Sequence, residues 1–519
     1  MKNTYWLRRA AVMLLAAACS APSYGRDVGL GDWRLAKGAV REGDLLTIDS
    51  SVGGPNCNAF AEVDLSPCAD VGYEAEISCR GENVARGPEP WLGMKFMLSY
   101  YDERNEGHWP QATPMAGSFG WTVLRFRHEM RGLAARNGKG TLTLGFQSGG
   151  GRIVFDLSTL KVRVASTLWP VTNRDYRVSY PADVRALPPL RGVMLPSEPC
   201  REDDFRTLKA WGATLARYQM TRLWGKDNTN QDLSEYDRWL NEKLDHLDRV
   251  VLPLAEKHAI RIVIDLHVGP GGRCDGEMNM FHDRKYADHF IVCWQRIARR
   301  FRGRRSIFGY DLINEPEQRL PALPDCDYWN LQRRAAEAVR SIDPETAIII
   351  ESNGWDCADA YRYLCPLSMD NVIYQVHVYD PGEFTHQGVQ NPRRWARRSY
   401  PDAKRGWDKA YLRRVMEPVL AFQRRHGARI YVGEFSAITW ADGADRYIAD
   451  CISLFNEHGF DWTYHAFREW PGWSVEHECE APGDRFRPSS DNPRLRVLKA
   501  GLLGPSPETP AAPGAESAR

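Results

Sequence analysis

The stretch YDLINEP (310–316) is a short apolar strand that ends in an Asn-Glu-Pro turn. Similar apolar stretches recur along the chain, with amphipathic helical stretches between them at 236–258, 286–300, 329–341, 411–425 and 447–458. The eight predicted strands are 192–195, 213–218, 262–267, 309–314, 347–351, 372–377, 430–434 and 462–467. Strands that alternate with helices form a parallel sheet, so these residues predict an α/β fold, a (β/α)8 TIM barrel spanning residues 190–503.

The ends of two of these strands carry glutamates. Glu315 follows the fourth strand, and Glu434 ends the seventh in Gly-Glu-Phe-Ser (433–436). Barrels of this class place their chemistry at the carboxyl-terminal strand ends, and a carboxylate there is costly to bury without a partner. Two such groups predict glycoside hydrolysis, in which one carboxyl protonates the leaving oxygen and another attacks or activates water. The alternative is that each is an ordinary solvated residue.

The Asn-Glu-Pro and Gly-Glu-Phe motifs, in this order, make residues 190–503 resemble glycoside hydrolase family 5. The resemblance implies a retaining enzyme with Glu315 as general acid/base and Glu434 as nucleophile. It also implies that Asn314 holds the sugar 2-hydroxyl. Arg217, within the apolar second strand, matches the family arginine that pairs with the nucleophile and keeps it ionised.

Further residues at strand ends match the family pattern. The resemblance implies that His267, at the end of strand three, contacts the reacting sugar, and that His377 and Tyr379, at the end of strand six, orient the two glutamates. The family tryptophan after strand eight is not in its usual place, where His465 stands, so we assign the aromatic platform to Trp470. The histidines show no zinc-binding spacing, and we expect no metal or organic cofactor.

Residues 26–168 predict a different architecture. Short alternating strands at 45–48, 60–63, 95–100, 141–146 and 160–164 are separated by glycine-rich turns, which is typical of an antiparallel β-sandwich or jelly roll. This region resembles the jelly-roll carbohydrate-binding modules attached to polysaccharide hydrolases. For Trp91, Trp109 and Trp121 we expect packing in the sandwich core, the usual role of sandwich tryptophans, and exposed sugar-binding platforms are the alternative. A linker is predicted at 169–189 and a disordered tail at 504–519.

The N-terminus predicts export. Lys2, Arg8 and Arg9 precede an apolar run at 10–18 that is too short to cross a bilayer, which is typical of a signal peptide over residues 1–25. Cys19 offers lipid attachment as an alternative to ordinary cleavage. No later stretch approaches the roughly 20 apolar residues of a membrane helix. We therefore expect a secreted or periplasmic protein, with no membrane span.

Composition excludes several classes of protein. The 519 residues contain 68 Lys and Arg against 67 Asp and Glu, a net charge of +1, so no overall field attracts nucleic acid. Eleven cysteines remain besides Cys19, an odd number without a Cys-x-x-Cys pair. Cys57, Cys68 and Cys79 form one group in the sequence. Their pairing stays open, and buried thiols are the alternative to disulfides.

These patterns predict a monomeric retaining endo-β-glycosidase that cuts β-1,4-linked polysaccharide, either β-glucan of the cellulose type or mannan. Within the family, the alternative is an exo-acting or glycolipid-directed β-glucosidase. From another class, the alternative is a non-catalytic polysaccharide-capture protein. The retained glutamates, with their arginine, histidine and tyrosine partners, argue against a dead barrel.

Overall fold

The computed structural model describes residues 27–69, 71–89, 91–103, 105–128, 130, 133–165, 175–196, 199–274, 276–318 and 322–504. The predicted leader, Cys19 and all but the first residue of the predicted tail lie outside these ranges. The described residues belong to two compact units. One contains the described residues up to 165, and the other contains those from 175 to 318 and from 322 to 504. No helix among the described residues is long and apolar enough to cross a bilayer.

The first unit consists of two antiparallel five-stranded sheets with the strand orders β1-β4-β9-β6-β7 and β2-β3-β10-β5-β8. Apolar side chains from both sheets, among them Ile77, Phe96 and Phe155, form one buried cluster. The elements are β1 (Arg34–Leu35), β2 (Ala39–Glu42), β3 (Leu45–Asp49), α1 (Ser50–Gly53), β4 (Asn58–Asp64), β5 (Tyr73–Ala85), β6 (Gly93–Tyr101), β7 (Gly107–His108), β8 (Gly117–His128), β9 (Lys139–Gln147) and β10 (Gly150–Val164).

The three tryptophans of this unit do not lie in its core. Trp91, Trp109 and Trp121 are 47%, 60% and 50% exposed, so the expectation that they pack inside the sandwich is wrong. Along β8, Leu124 and Phe126 point inward, and the alternation of side chains in a strand therefore directs Trp121 outward. Trp91 and Trp109 lie outside the strands, in connecting segments.

The cysteine group of this unit is part of the core. Cys57, Cys68 and Cys79 are buried in the cluster that the two sheets share. Burial raises the pKa of Cys68 and of Cys79 to about 12. These three side chains therefore behave as small apolar groups, which is the alternative to disulfides.

The second unit contains a closed parallel barrel in the order β11-β12-β13-β16-β17-β18-β19-β20, which confirms the (β/α)8 prediction. Two short pairs of strands, β14-β15 and β21-β22, lie outside the barrel order. The strands of this unit are β11 (Arg191–Met194), β12 (Leu215–Gln219), β13 (Arg261–Asp265), β14 (Arg273–Cys274), β15 (Glu277–Met278), β16 (Ile307–Asp311), β17 (Ala347–Glu351), β18 (Val372–Val378), β19 (Ile430–Phe435), β20 (Asp461–Tyr464), β21 (His477–Glu478) and β22 (Arg487–Pro488). Strands buried on both faces explain apolar runs such as AIIIE in β17.

Helices of this unit follow the barrel strands. They are α2 (Ala182–Ala186), α3 (Glu202–Trp211), α4 (Leu233–His246), α5 (Leu252–His258), α6 (Arg284–Phe301), α7 (Tyr328–Arg340), α8 (Asn353–Asp356), α9 (Gly382–Thr385), α10 (Lys409–Val415), α11 (Glu417–His426), α12 (Ala444–Glu457) and α13 (Pro493–Leu503). In α6, which has apolar residues on one face, that face is buried, as expected for a helix lying on a barrel.

The amino-terminal end of the barrel is closed by apolar side chains. Leu215 and Ala347, the first residues of β12 and β17, belong to a buried cluster against which Tyr180 and Leu187 pack. The Tyr180 hydroxyl also donates to the carbonyl of Val372 at 2.7 Å. The described part of the predicted linker 169–189 thus lies against the barrel and covers its amino-terminal end. The carboxyl-terminal strand ends are the place for an active site.

Candidate active site

The carboxyl-terminal strand ends bring the predicted residues together around one guanidinium group. Arg217, on β12, is fully buried. Its Nη1 donates to Glu434 Oε1 at 2.7 Å, its Nη2 to Asn314 Oδ1 at 2.9 Å, and its Nε to Asp311 Oδ2 at 2.9 Å. The same Nη2 lies 3.1 Å from Glu351 Oε1. A planar guanidinium can hold several oxygens in fixed directions at once.

Glu434, near the end of β19, is buried and held on both oxygens. While Arg217 contacts one oxygen, the hydroxyl of Tyr379 donates to Oε2 at 2.7 Å. Burial acts to raise the pKa of Glu434, but the nearby His377, His465 and Arg217 outweigh it and hold the pKa well below its ordinary value. Glu434 is therefore an ionised carboxylate over the whole physiological pH range.

Glu315 lies four residues beyond the end of β16, in a turn. Its Oε1 is 3.0 Å from His377 Nδ1, and its backbone N–H donates to Glu351 Oε2 at 2.6 Å. Arg273 donates from Nη2 to the carbonyl of Glu315 at 2.7 Å. Glu315 has a φ of 49°, in the left-handed region that a residue with a side chain adopts at a cost of about 1 kcal/mol or more. Contacts on both sides of the residue hold it there.

The two candidate catalytic carboxyls face each other across His377. One side-chain oxygen of Glu315, one of Glu434 and a ring nitrogen of His377 all lie within 4.8 Å of one another. Such a trio could also ligate a metal ion. The 3.0 Å separation of His377 Nδ1 from Glu315, however, is that of a hydrogen bond between the two side chains.

His267 and Asn314 form a second pair beside Arg217. His267 Nδ1 contacts Asp265 Oδ2 at 2.7 Å, and its Nε2 is 3.4 Å from Asn314 Nδ2. A donating Nδ1–H leaves Nε2 as an acceptor for the asparagine amide. The Asn314 side chain is thereby fixed at both of its ends, with Arg217 on its oxygen and His267 on its nitrogen.

His465 contributes to the site through Tyr379, whose hydroxyl is 2.7 Å from His465 Nδ1. On its other side, His465 Nε2 lies 3.5 Å from Glu469 Oε2. Burial acts to lower the pKa of His465, but Glu434 and Glu469 outweigh it and raise that pKa. A protonated His465 donates to the Tyr379 oxygen, which leaves the Tyr379 proton for Glu434.

Trp470 does not contact the glutamates or their immediate partners. It is 37% exposed and packs against Trp473, at 5.8 Å between ring centroids, and against Trp440 and Phe486. Trp473, in turn, lies 5.7 Å from His465. The predicted platform is therefore one ring removed from the candidate catalytic residues.

Sequence reasoning missed two groups of residues. Exposed rings of Trp224 and Trp355 flank the Arg273 guanidinium, at 5.3 and 4.7 Å, and Trp224 lies 4.8 Å from His267. Trp224 lies in a turn after β12 and Trp355 in the short helix α8 after β17, where no strand count identifies either. The other group consists of buried carboxyls below the glutamates, Asp265, Asp311 and Glu351. Acidic residues that end apolar strands were the available signal.

Three buried carboxyl groups, those of Asp265, Asp311 and Glu351, surround the single guanidinium of Arg217. Burial and the neighbouring Asp265, opposed by Arg217, raise the pKa of Asp311 to about 6. Burial, with Asp356 and Asp311, also raises the pKa of Glu351. The candidate site thus combines an ionised Glu434 with carboxyls below it whose ionisation is costly, which is the separation of pKa values typical of catalytic centres.

A parallel barrel with two facing glutamates, one held ionised, defines a glycoside hydrolase. A family model described as Cellulase (glycosyl hydrolase family 5) matches residues 186–469, more than half of the chain. The chain therefore belongs to glycosyl hydrolase family 5, and it is an enzyme of the class that hydrolyses O-glycosyl bonds.

Named relatives are similar to about half of the chain. Cellodextrinase A of Ruminococcus flavefaciens is 24% identical, over 52% of this chain and 79% of that protein. Endoglucanase C of Acetivibrio thermocellus is 26% identical, over 46% of this chain and 76% of that protein. A solved structure of Thermotoga maritima Cel5A with cellobiose is 21% identical and covers 59% of this chain and 96% of that chain, with a TM-score of 0.47.

Proposed function

We propose that this enzyme cleaves β-1,4-linked glucan of the cellulose type at internal bonds, by double displacement with retention of configuration. The observation that carries the retaining mechanism is the separation of the carboxyls, since oxygens of Glu315 and Glu434 lie within 4.8 Å. Retaining enzymes separate their carboxyl groups by about 5 to 5.5 Å, whereas inverting enzymes need roughly 6.5 to 9.5 Å to admit a water molecule.

In this proposal the two glutamates have different roles. Glu434, held ionised by Arg217 and Tyr379, attacks the anomeric carbon and forms a glycosyl ester. Glu315 gives its proton to the departing glycosidic oxygen, and the freed chain leaves. Glu315 then takes a proton from water, whose oxygen attacks the same carbon and releases Glu434 as a carboxylate.

Neighbouring side chains have supporting roles in this proposal. The Asn314 amide, fixed by Arg217 and His267, is placed beside Glu434 to contact the 2-hydroxyl of the reacting sugar. His377 shares a hydrogen bond with Glu315 and sets the direction of that carboxyl. Trp470, whose ring packs against Trp473 beside His465, is proposed to stack on a sugar of the bound glucan.

The choice of glucan rests on the relatives, which are named cellodextrinase and endoglucanase. Mannan as substrate, and exo-acting or glycolipid-directed hydrolysis, are the alternatives to test. We would measure reducing ends and product lengths on soluble cellulose, mixed-linkage glucan, mannan, xylan and xyloglucan. Internal cleavage lowers viscosity before much sugar is released, and greater activity on mannan would contradict the proposal.

The catalytic roles are tested with two variants. Glu434→Gln should lose hydrolysis of every aryl cellobioside, whereas Glu315→Ala should keep attack on 2,4-dinitrophenyl cellobioside, whose leaving group needs no proton. Added azide should accelerate Glu315→Ala and give a β-glycosyl azide, seen by NMR. A β-glycosyl azide from Glu434→Gln would reverse the assignment, because net retention requires that the enzyme's nucleophile is still present. An α-configured first product from the wild-type protein would contradict retention.

We also propose that the first unit is a jelly roll that binds glycan. The orders β3-β10-β5-β8 and β4-β9-β6-β7 are those produced by two nested Greek keys. Exposed rings favour binding at the edge near β7, where Tyr101 lies 6.4 Å from Trp109 and Arg136 lies 5.8 Å above Tyr101. Flat rings with adjacent polar groups are the surface that a sugar ring stacks on.

Paired tryptophan variants test this module in the full chain. Trp109→Ala should weaken retention on insoluble cellulose and lower activity on it, with unchanged turnover of short soluble oligosaccharides, because anchoring helps only on the insoluble substrate. Trp121→Ala, on the other sheet, is the matched control. Equal losses from both variants, or no loss from Trp109→Ala, would contradict the proposed face.

Finally, we propose export of the protein through its N-terminal segment, with release into the periplasm or the medium. Support comes from the charged start and the apolar run at 10–18. Mass spectrometry of the mature N-terminus distinguishes ordinary cleavage from lipid attachment at Cys19. A terminus near residue 26 supports ordinary cleavage, a lipidated Cys19 supports anchoring, and an intact Met1 in fractionated cells contradicts export.

A further inference from the structure

Glu351 occupies a central position that the proposed mechanism does not use. It ends β17, it is fully buried, and both of its carboxylate oxygens accept hydrogen bonds. Oε2 accepts the backbone N–H of Glu315 at 2.6 Å. Oε1 accepts from Arg217 Nη2 at 3.1 Å and from the side-chain amide of Gln375. One carboxyl therefore touches groups that lead to both candidate catalytic glutamates.

The contact with the Glu315 amide counters a conformational cost. Glu315 has a left-handed backbone, at a φ of 49°. A hydrogen bond to a buried carboxyl contributes about 1.5 to 3 kcal/mol, which is comparable to the cost of that conformation. Without the acceptor, the amide would be buried and unpaired, and the turn that aims the Glu315 side chain would relax.

The contact with Gln375 leads to the side chain of Glu315. The Gln375 Nε2 that donates to Glu351 also lies 3.2 Å from His377 Nε2. With Nε2 of His377 as acceptor, its Nδ1 carries the proton and donates to Glu315 Oε1. Glu351 thus orients the amide that selects the tautomer of His377.

The structure leaves space for this arrangement. A Cβ at Gly433 would come within 2.4 Å of Gln375 Cδ, so only glycine before Glu434 admits the amide here. Gln332, buried on α7, accepts the Glu351 backbone N–H at 3.0 Å and donates to its carbonyl at 2.9 Å. Residues from three elements therefore keep Glu351 in one place.

We propose that Glu351 is a positioning residue for the reaction: it holds the Glu315 turn and, through Gln375 and His377, the direction of the Glu315 carboxyl. This inference rests on the proposed role of Glu315 as the acid. Because the main links lead to the acid rather than to the nucleophile, loss of Glu351 should most affect substrates whose leaving group needs a proton.

The test uses Glu351→Gln in the full chain. This substitution keeps the size of the side chain, but its NH₂ group must face either the Glu315 N–H or the donors of Arg217 and Gln375. We expect kcat/KM on phenyl β-cellobioside to fall about 10- to 100-fold. On 2,4-dinitrophenyl β-cellobioside the loss should be several-fold smaller, with KM nearly unchanged on both. Equal losses on the two substrates, or none, would overturn the proposal.

Two further variants separate positioning from folding. Gln375→Met leaves Glu351 in place and breaks the link to His377, so a smaller loss with the same leaving-group dependence is expected; an equal loss on both substrates counts against the proposal. Asp461→Asn removes a buried carboxyl at the opposite end of the barrel. It should lower the melting temperature without changing the leaving-group dependence.

A measurement independent of activity distinguishes failure of this inference from failure of the proposed function. In protein labelled with ¹⁵N-glutamate, the Glu315 amide proton should resonate far downfield and move upfield in Glu351→Gln. An unmoved resonance overturns the inference even in an active enzyme. A wild-type protein that hydrolyses no cellobioside but shows the shift refutes the function and leaves the positioning role intact.

Discussion

Each end of the barrel contains an arginine bound to carboxylates, and the two arrangements differ in the number of carboxyl groups around the arginine. At the amino-terminal end, Arg429 binds Asp461 with two nitrogens, at 2.6 and 2.7 Å, one cation to one anion. It also donates to the carbonyls of Val184 and Leu187, in the segment that closes this end. At the other end, Arg217 lies within 3.3 Å of Asp265, Asp311, Glu351 and Glu434.

The difference indicates what each arginine does. A balanced pair with its remaining donors satisfied holds segments together and gains nothing from further chemistry. Around Arg217 the carboxyl groups are in excess, and within the described part of the chain one oxygen each of Asp265 and Asp311 has no hydrogen-bond partner. That imbalance is retained where one carboxylate must stay ionised and reactive.

Exchanging each arginine for lysine should break the comparison most strongly. Arg217→Lys keeps the charge but loses the planar fork, so kcat/KM on aryl cellobiosides should fall about 10²- to 10³-fold. Arg429→Lys should leave the kinetics of the folded enzyme unchanged and lower its melting temperature. Steady-state rates and thermal melts of both variants provide the measurement. Similar loss of activity in both would show that the two ends are not functionally distinct.

The sequence predicted the barrel because its strands are apolar on both faces and regularly spaced. It predicted Arg217, Glu315 and Glu434 by motif, yet it placed Asn314 inside strand four, whereas β16 ends at Asp311. It could not predict Glu351 as a partner of Arg217, because 134 residues separate them and only the register of the barrel brings them together. The spacing of apolar segments in the sequence identifies which strands form. The contacts between side chains of different strands depend on how the barrel closes.

Trp224 lies at the carboxyl-terminal end of the barrel, and a variant of this residue tests whether that end binds the substrate. Trp224, beside His267, is 43% exposed. We expect Trp224→Ala to raise KM for cello-oligosaccharides about tenfold with a small change in kcat, because an aromatic ring that covers a sugar contributes on the order of 1.5 kcal/mol. Trp121→Ala is the control for a tryptophan of similar exposure elsewhere. An unchanged KM would exclude Trp224 from the substrate site.

A pH-dependent effect is expected at the carboxyl-terminal end of the barrel. Glu469 helps to raise the pKa of His465, so Glu469→Gln should lower it. A raised folded pKa stabilises the protein fully below the unfolded value of 6.5 and loses this effect as the pH rises through the folded pKa. The wild-type protein should therefore exceed Glu469→Gln in stability most below pH 6.5, and less at higher pH. Urea unfolding at several pH values, with NMR titration of His465, measures both quantities. A pH-independent difference would contradict the link.

The smallest effect is expected at the closed end. Tyr180 donates to the carbonyl of Val372 and accepts from the backbone N–H of Arg429, both at 2.7 Å. Tyr180→Phe should reduce the free energy of unfolding by about 1 to 2 kcal/mol and leave kcat and KM unchanged. Chemical denaturation and steady-state kinetics test the two halves of this statement. A change in kcat would mean that the closed end influences the chemistry.

The guanidinium of Arg273 carries a consequence for engineering. This residue begins β14, in the connection between β13 and α6, and it donates to the carbonyls of Asn314 and Glu315, while two exposed tryptophans flank its guanidinium. The segment that contains Arg273 therefore also holds the backbone of Glu315, the proposed acid. Grafting in a loop from a homologue to admit another polysaccharide would remove that contact, so changes of specificity and of rate are linked here. A designer who wants one without the other must keep an arginine at position 273.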